Sequence, residues 1–154
     1  MILLSILFLG AQVLDPCAFC DPKILDAQTV YHGAHASVLI TYQPAVEGHL
    51  LIIPNRHVQA FHELNAEEIT EIGALVQKVA AVYKGREYLL LQKNGPGAGQ
   101  TVPHVHVHFV PRPEEMSSFR FACQLLTASW WAPQSEAELK ALQEKFALAL
   151  KPEN

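Results

Sequence analysis

An α+β domain on an antiparallel sheet is the fold class that the sequence predicts, and two observations carry that expectation. Apolar runs of strand length are joined by short turn segments, and one long capped helix interrupts them. The elements follow in order. Ser37–Thr41 and His49–Ile53 flank the turn segment Gln43–Gly48 and read as an antiparallel pair. A helix follows: Asn65 is its N-cap, Glu68 occupies the capping-box position, and Ile69, Ile72, Val76, Val79 and Tyr83 repeat at helical spacing until Gly85. Glu87–Lys93 (EYLLLQK) is the next strand, Asn94–Gln100 (NGPGAGQ) a loop with three glycines, and His104–Val110 a strand of strict alternation. Composition is irregular after Arg112, and Glu136–Leu150 offers a second amphipathic helix.

Composition bounds what such a domain can do. The chain has 154 residues, half of them apolar, with 11 basic and 15 acidic side chains and a net charge of −4. That excludes a disordered chain or a coiled coil, and without a basic run it disfavours a nucleic-acid partner. Three cysteines cannot form a disulfide framework. No repeat or linker divides the chain, so residues 1–154 are expected as one domain. It would comprise an N-terminal segment (1–29), a core (30–112) and a C-terminal segment (113–154). Met1–Gly10 (MILLSILFLG) has the length of a signal-peptide core and is too short to span a bilayer. No Lys or Arg precedes it, and the cleavage pattern is poor, so a packed N-terminal helix or strand is preferred to an export signal. The spaced thiols of CAFC suit a reducing compartment, which favours a cytoplasmic setting with no stable membrane insertion.

Chemistry is concentrated at His104-Val105-His106-Val107-His108, where strand alternation puts three imidazoles on one face. A three-histidine metal site is disfavoured, because the outer α-carbons of such a strand lie about 13 Å apart. A solvent face normally draws Lys, Glu and Thr instead. Imidazoles beside a glycine loop suit an anion, above all a phosphate. The loop supplies flexible backbone and potential N–H donors, although it lacks the ending of a P-loop and precedes a strand. Neutral imidazole can attack phosphorus near neutral pH, and a neighbouring imidazole can stabilise the phosphoryl oxygens.

The run HVHVHFV matches the H-φ-H-φ-H-φ-φ signature of the histidine triad (HIT) superfamily of nucleotide hydrolases and transferases. The chain resembles that family over EGHLLIIPNRHV (47–58), FHELNAEEI (61–69) and GPGAGQTVPHVHVHFVPR (95–112), most closely its fragile-histidine-triad and bacterial branches. The resemblance implies a homodimer with five antiparallel strands per subunit, a long helix and a C-terminal helix. It implies that His106 attacks the α-phosphate of a dinucleoside polyphosphate or nucleoside phosphoramidate, giving a nucleotidyl-histidine intermediate. By the same resemblance a backbone carbonyl fixes the His106 tautomer, His108 contacts the phosphate or scissile oxygen, and Gln100 and Thr101 position the transferred group. His104 completes the catalytic triad.

Two positions depart from the family pattern: Lys93 stands where Asn or Gln is usual, and Thr41 where Asp or Asn meets the ribose. A register slip would put Gln92 or Asn94 at the first of these positions instead. His49 matches a pocket histidine of the family, or it is a structural histidine. CxxC alone is ambiguous between a redox pair and two buried thiols. The resemblance implies a structural zinc held by Cys17, Cys20, His57 and His104. Cys123, His32, His35 and His62 read as packing or surface residues. The function expected is that of a nucleotide hydrolase or transferase with no organic cofactor. The alternative is a weakly active nucleotide-binding scaffold that works through a protein partner.

Overall fold

The computed structural model describes residues 17–127 and 133–151. Met1–Gly10, with both readings of it, lies outside the described residues. Five strands, β1 (Thr29–His32), β2 (Ala36–Ile40), β3 (Leu50–Pro54), β4 (Tyr88–Gln92) and β5 (Val107–Pro111), form one antiparallel sheet in the order β1-β2-β3-β5-β4. The helices are α1 (Pro22–Gln28), α2 (Ala66–Val82), α3 (Ser118–Leu126) and α4 (Glu136–Ala149). This is the α+β architecture expected, with its long helix and C-terminal helix. Among the described residues no helix is long and apolar enough to cross a membrane.

Alternation along the central strands sorts side chains to two faces. Val38, Ile40, Leu50, Ile52, Val107 and Phe109 point to one face, where they pack with Ile72, Leu75 and Val79 of α2 and Leu139 and Phe146 of α4. Leu39, Leu51 and Ile53 point to the other, against Phe19 and Leu25 of the N-terminal segment. His108 is paired with Leu51 on one side and Leu91 on the other, which places it on this second face.

Helix α2 starts as its sequence dictates. The Asn65 side chain accepts from Glu68 N–H at 2.8 Å, and Glu68 accepts from Asn65 N–H at 2.9 Å. Buried Glu68 also takes two hydrogen bonds from Arg56, each of 2.9 Å, which tie the helix start to the turn after β3. Glu71, one turn on, accepts the N–H groups of Ala34, His35 and Ala36 and holds the β1–β2 turn. The helix ends through Lys84 and Gly85, both at positive φ.

The structure corrects several expectations. Ile69, assigned to the buried stripe, is 46% exposed, because buried Glu68 takes the inward place in the first turn; Leu75 completes the stripe. Strand β1 and helix α3 were not foreseen. The strand expected from His104 begins only at Val107. Pro54 ends the neighbouring strand without an N–H to offer, and Val105 N–H bonds instead to the Val58 carbonyl at 2.6 Å.

Candidate active site

Because the ladder stops at Val107, the three histidines do not act as one row. His104 is buried and has both ring nitrogens engaged. Nε2 lies 2.9 Å from the Pro54 carbonyl, so it carries the hydrogen, and Nδ1 turns its lone pair to Cys17 Sγ at 3.4 Å and Cys20 Sγ at 3.6 Å. Of the two roles expected for His104, the ring's orientation toward the cysteines matches that of a metal ligand. Its carbonyl, by contrast, faces the site. His106 Nδ1 donates to it at 2.7 Å and the Gln100 amide donates at 3.2 Å. With Nδ1 holding the hydrogen, His106 Nε2 is left as a lone pair. The His106 ring is 4% exposed, edge-on to Phe19 at 5.4 Å and to His108 at 4.9 Å. Burial holds it below the usual imidazole range; the bond to the His104 carbonyl, next in weight, opposes the shift, and the field of Lys93 adds to it.

His49 sets the state of His108. The Ala45 N–H donates to His49 Nδ1 at 3.1 Å, which puts the hydrogen of neutral His49 on Nε2. That nitrogen lies 2.9 Å from His108 Nδ1, which must then accept. His108 is left with its hydrogen on Nε2, as a neutral donor. Burial first, then the neighbouring imidazoles, lowers His49 to about 4 and His108 to about 3, with Lys93 also acting on His108.

Lys93 follows β4. Gln92 pairs with Val107, so Lys93 is level with His106 and, two residues from Leu91, on the histidine face. Its ammonium lies 3.4 Å from where a Gly99 Cβ would stand. Of the two register-slip alternatives, Gln92 donates to Lys93 O and Asn94 Oδ1, and Asn94 accepts from Phe61 N–H, so both amides are engaged locally. The glycine loop is closed on itself. Ala98 and Gln100 donate to Gly95 O and Gly99 donates to Pro96 O, with Gly95 and Gly99 at φ near +80°. These N–H groups are therefore not the open anion cradle expected. Buried Gln100 accepts from Gly95 N–H at 2.6 Å and donates to Gln59 O and His104 O, so it fastens the loop rather than reaching outward. Thr101 is exposed, and its side chain makes no hydrogen bond among the described residues. Thr41 follows Ile40, shares the face of Leu39 and lies level with His49.

Cys17, Cys20, His57 and His104 form a second constellation, and their ligand atoms all lie within 4.8 Å of one another. The two Sγ atoms are 2.8 Å apart, and His57 Nδ1 is 3.1 Å from Cys20 Sγ. A tetrahedral zinc shell separates such atoms by about 3.5–3.8 Å, so adjustments of about 1 Å complete it. The donor set fits: burial, with Cys20 alongside, pushes the Cys17 thiol up to about 11, and two adjacent thiolates require a cation. The four residues can hold a metal ion. Phe19, between the two cysteines, is the site residue that the sequence did not flag. Its signal was a lone aromatic inside CxxC, flanking both the metal cluster and His106.

The HIT domain family matches residues 23–115. The adenosine 5′-monophosphoramidase of Schizosaccharomyces pombe is 34% identical over 142 residues, covering 88% of this chain and 98% of that protein. The bis(5′-adenosyl)-triphosphatase of Dictyostelium discoideum is 35% identical over 99 residues, 61% of this chain and 66% of that protein. A solved HIT family hydrolase from Clostridium thermocellum superposes with a TM-score of 0.57 at 29% identity, over 68% of this chain and 97% of that one. The chain belongs to the HIT domain family.

The buried imidazole pair makes stability depend on pH. The folded values of His49 and His108, about 4 and about 3, lie below the ordinary 6.5. Below pH 6.5 the unfolded chain takes up protons that the folded chain does not, so folded stability falls as pH falls. The expected slope is about 1.4 kcal/mol per pH unit for each histidine. Urea unfolding at pH 7.5, 6 and 5 measures it. His49→Gln should flatten the slope, and equal stability of the parent protein at all three values would contradict the assignment.

Proposed function

From that membership we propose that the protein is a nucleotide hydrolase or transferase. It acts at the α-phosphate of dinucleoside polyphosphates or nucleoside phosphoramidates through a nucleotidyl-histidine intermediate. The observation that carries the reading is the 2.7 Å hydrogen bond from His106 Nδ1 to His104 O, which leaves Nε2 as a neutral nucleophile. Nε2 forms a bond to phosphorus, and the bond to the leaving group breaks with its electron pair going to that group, which departs as a phosphate anion or, where it is an amine, takes up a proton from solvent. Water then attacks the same phosphorus, the P–N bond breaks, its pair returns to Nε2, and the water's proton passes to solvent. His108 Nε2–H donates to a phosphoryl or leaving-group oxygen, in the tautomer that His49 imposes. Thr101, Lys93 and Thr41 line the substrate, and Gln100 holds the loop around it. The names of the two curated relatives support both substrate classes.

We read the metal as structural zinc. Two thiolates and two imidazoles close a tetrahedral shell with no open position, and the ion would hold the Cys17–Cys20 turn against the His104 backbone. Thiol ligands of this kind favour a cytoplasmic setting. A homodimer is supported by β4, which among the described residues pairs only with β5 and exposes Tyr88, Leu89, Leu90 and Leu91 by 37–43%. We take residues 1–154 as one domain around the 30–112 core.

Three measurements test these readings. His106→Ala should lower turnover by about three orders of magnitude or more while nucleotide binding largely survives. Retention of more than about a tenth of parent turnover would remove the covalent mechanism. For the metal, elemental analysis of untagged protein should find about one equivalent of zinc. Cys20→Ser should lose it and melt earlier, yet keep much of its turnover at low temperature. Activity lost reversibly to chelator, in protein that stays folded, would instead make the ion catalytic. Light scattering should return twice 17.1 kDa at micromolar concentration, and the monomer mass would overturn the dimer.

A further inference from the structure

Three imidazoles, those of His49, His106 and His108, cluster at the proposed phosphate position, yet the structure gives that position little fixed positive charge. His106 gives its Nδ1 hydrogen to the His104 carbonyl, and the Ala45 N–H sets His49 and His108 as a donor–acceptor pair, so each of the three is arranged as a neutral ring. Among the described residues Lys93 is the one Lys or Arg whose field is recorded on His106 and His108. Other basic groups nearby are already committed: Arg56 to Glu68, and Arg112 to Glu87. Lys93 also has no carboxylate partner among the described ion pairs. Strand register places it level with His106 and on the same face, with its stem running along Gly99. A lone cation has thus been set beside a nucleophile in a cluster of neutral rings.

We propose that Lys93 is a specificity-determining residue that selects anionic leaving groups, so that this chain prefers phosphoric anhydrides to phosphoramidates. The inference rests on the reading of His106 as nucleophile. Two bond cleavages make the difference. In an anhydride the bridging P–O bond breaks and its electron pair stays on the oxygen of the departing phosphate. The departing group is an anion, charge accumulates on it in the transition state, and a neighbouring ammonium stabilises that charge. In a phosphoramidate the P–N bond breaks and nitrogen must gain a proton to leave as an amine. A fixed cation beside that nitrogen opposes any positive charge developing on it. The His108 Nε2–H can serve either leaving atom, so it does not discriminate; Lys93 does. A polyphosphate chain also brings further anionic oxygens into the field of Lys93, whereas an uncharged amine brings none.

Steady-state kcat/KM is measured with diadenosine triphosphate and with adenosine 5′-phosphoramidate, for the parent protein, Lys93→Gln and Lys93→Arg. The parent should favour the anhydride. Lys93→Gln should lower the anhydride-to-phosphoramidate ratio by at least about tenfold, and Lys93→Arg should keep it within about threefold of the parent. Raised ionic strength should lower the parent's ratio and leave that of Lys93→Gln nearly flat, which a merely structural role would not produce. Equal losses on both substrates in Lys93→Gln, or no change on either, would overturn selection by Lys93 and leave His106 as nucleophile intact. A parent protein that turns over neither substrate would overturn the proposed function itself, and this inference with it.

Discussion

The carbonyl of His104 is the point on which the site depends. It accepts from His106 Nδ1 at 2.7 Å and from the Gln100 amide at 3.2 Å, while the ring of the same residue completes the Cys17–Cys20–His57 cluster. One residue thus fixes the tautomer of the proposed nucleophile and fastens the glycine loop with its carbonyl, and meets the N-terminal cysteines with its ring. The carbonyl is free for this because the β5 ladder begins three residues later, at Val107. Had His104–His106 stayed in the sheet, strand hydrogen bonds would compete for the same backbone groups.

That early departure from the ladder separates what the sequence made legible from what it did not. The capping box of α2, the extent of α4 and the β2–β3 pair are local properties of Asn65, Glu68, Ser135 and the alternating apolar runs, and each was readable. Strand β1 was not, because Thr29–His32 is four residues long and gains its place from Leu39, Val38 and Ser37 across the sheet. Helix α3 was missed for a similar reason: Phe121 and Leu125 face inward only because Ala45, Val46 and Val110 meet them there. In the site, period-two alternation identified the histidines but could not reveal that Pro54 has no N–H to extend the pairing. It therefore placed the His104 ring with its neighbours. The glycine loop was legible as flexible backbone, whereas the use of its own N–H groups in closing it was a matter of conformation.

Electrostatics in the site follow from packing more than from the count of histidines. Neutral imidazole is both the better nucleophile and the cheaper group to bury, so enclosing His106 against Phe19 favours folding and the chemistry proposed for it together. His49 and His108 extend the same logic. A backbone N–H at Ala45 points at one nitrogen, and the hydrogen positions of two rings follow without any carboxylate. A carboxylate in that place would hold the pair partly protonated and put charge where a neutral donor is needed.

Charge then has to come from outside the histidine row, and the fold offers it at the end of β4. That strand pairs with β5 along its length, so a residue just past its last paired position is brought level with His106 without any long-range loop. Gly99, at positive φ and lacking a Cβ, lets the aliphatic stem of Lys93 lie against the loop backbone. Both the end of that stem and the ammonium lie against the Gly99 position, on the strand face that carries His106 and His108. Sheet register thus brings the proposed nucleophile and the cation level with each other, beside the compact loop. A flexible lysine elsewhere on the surface would be screened by water and would act on these rings far less.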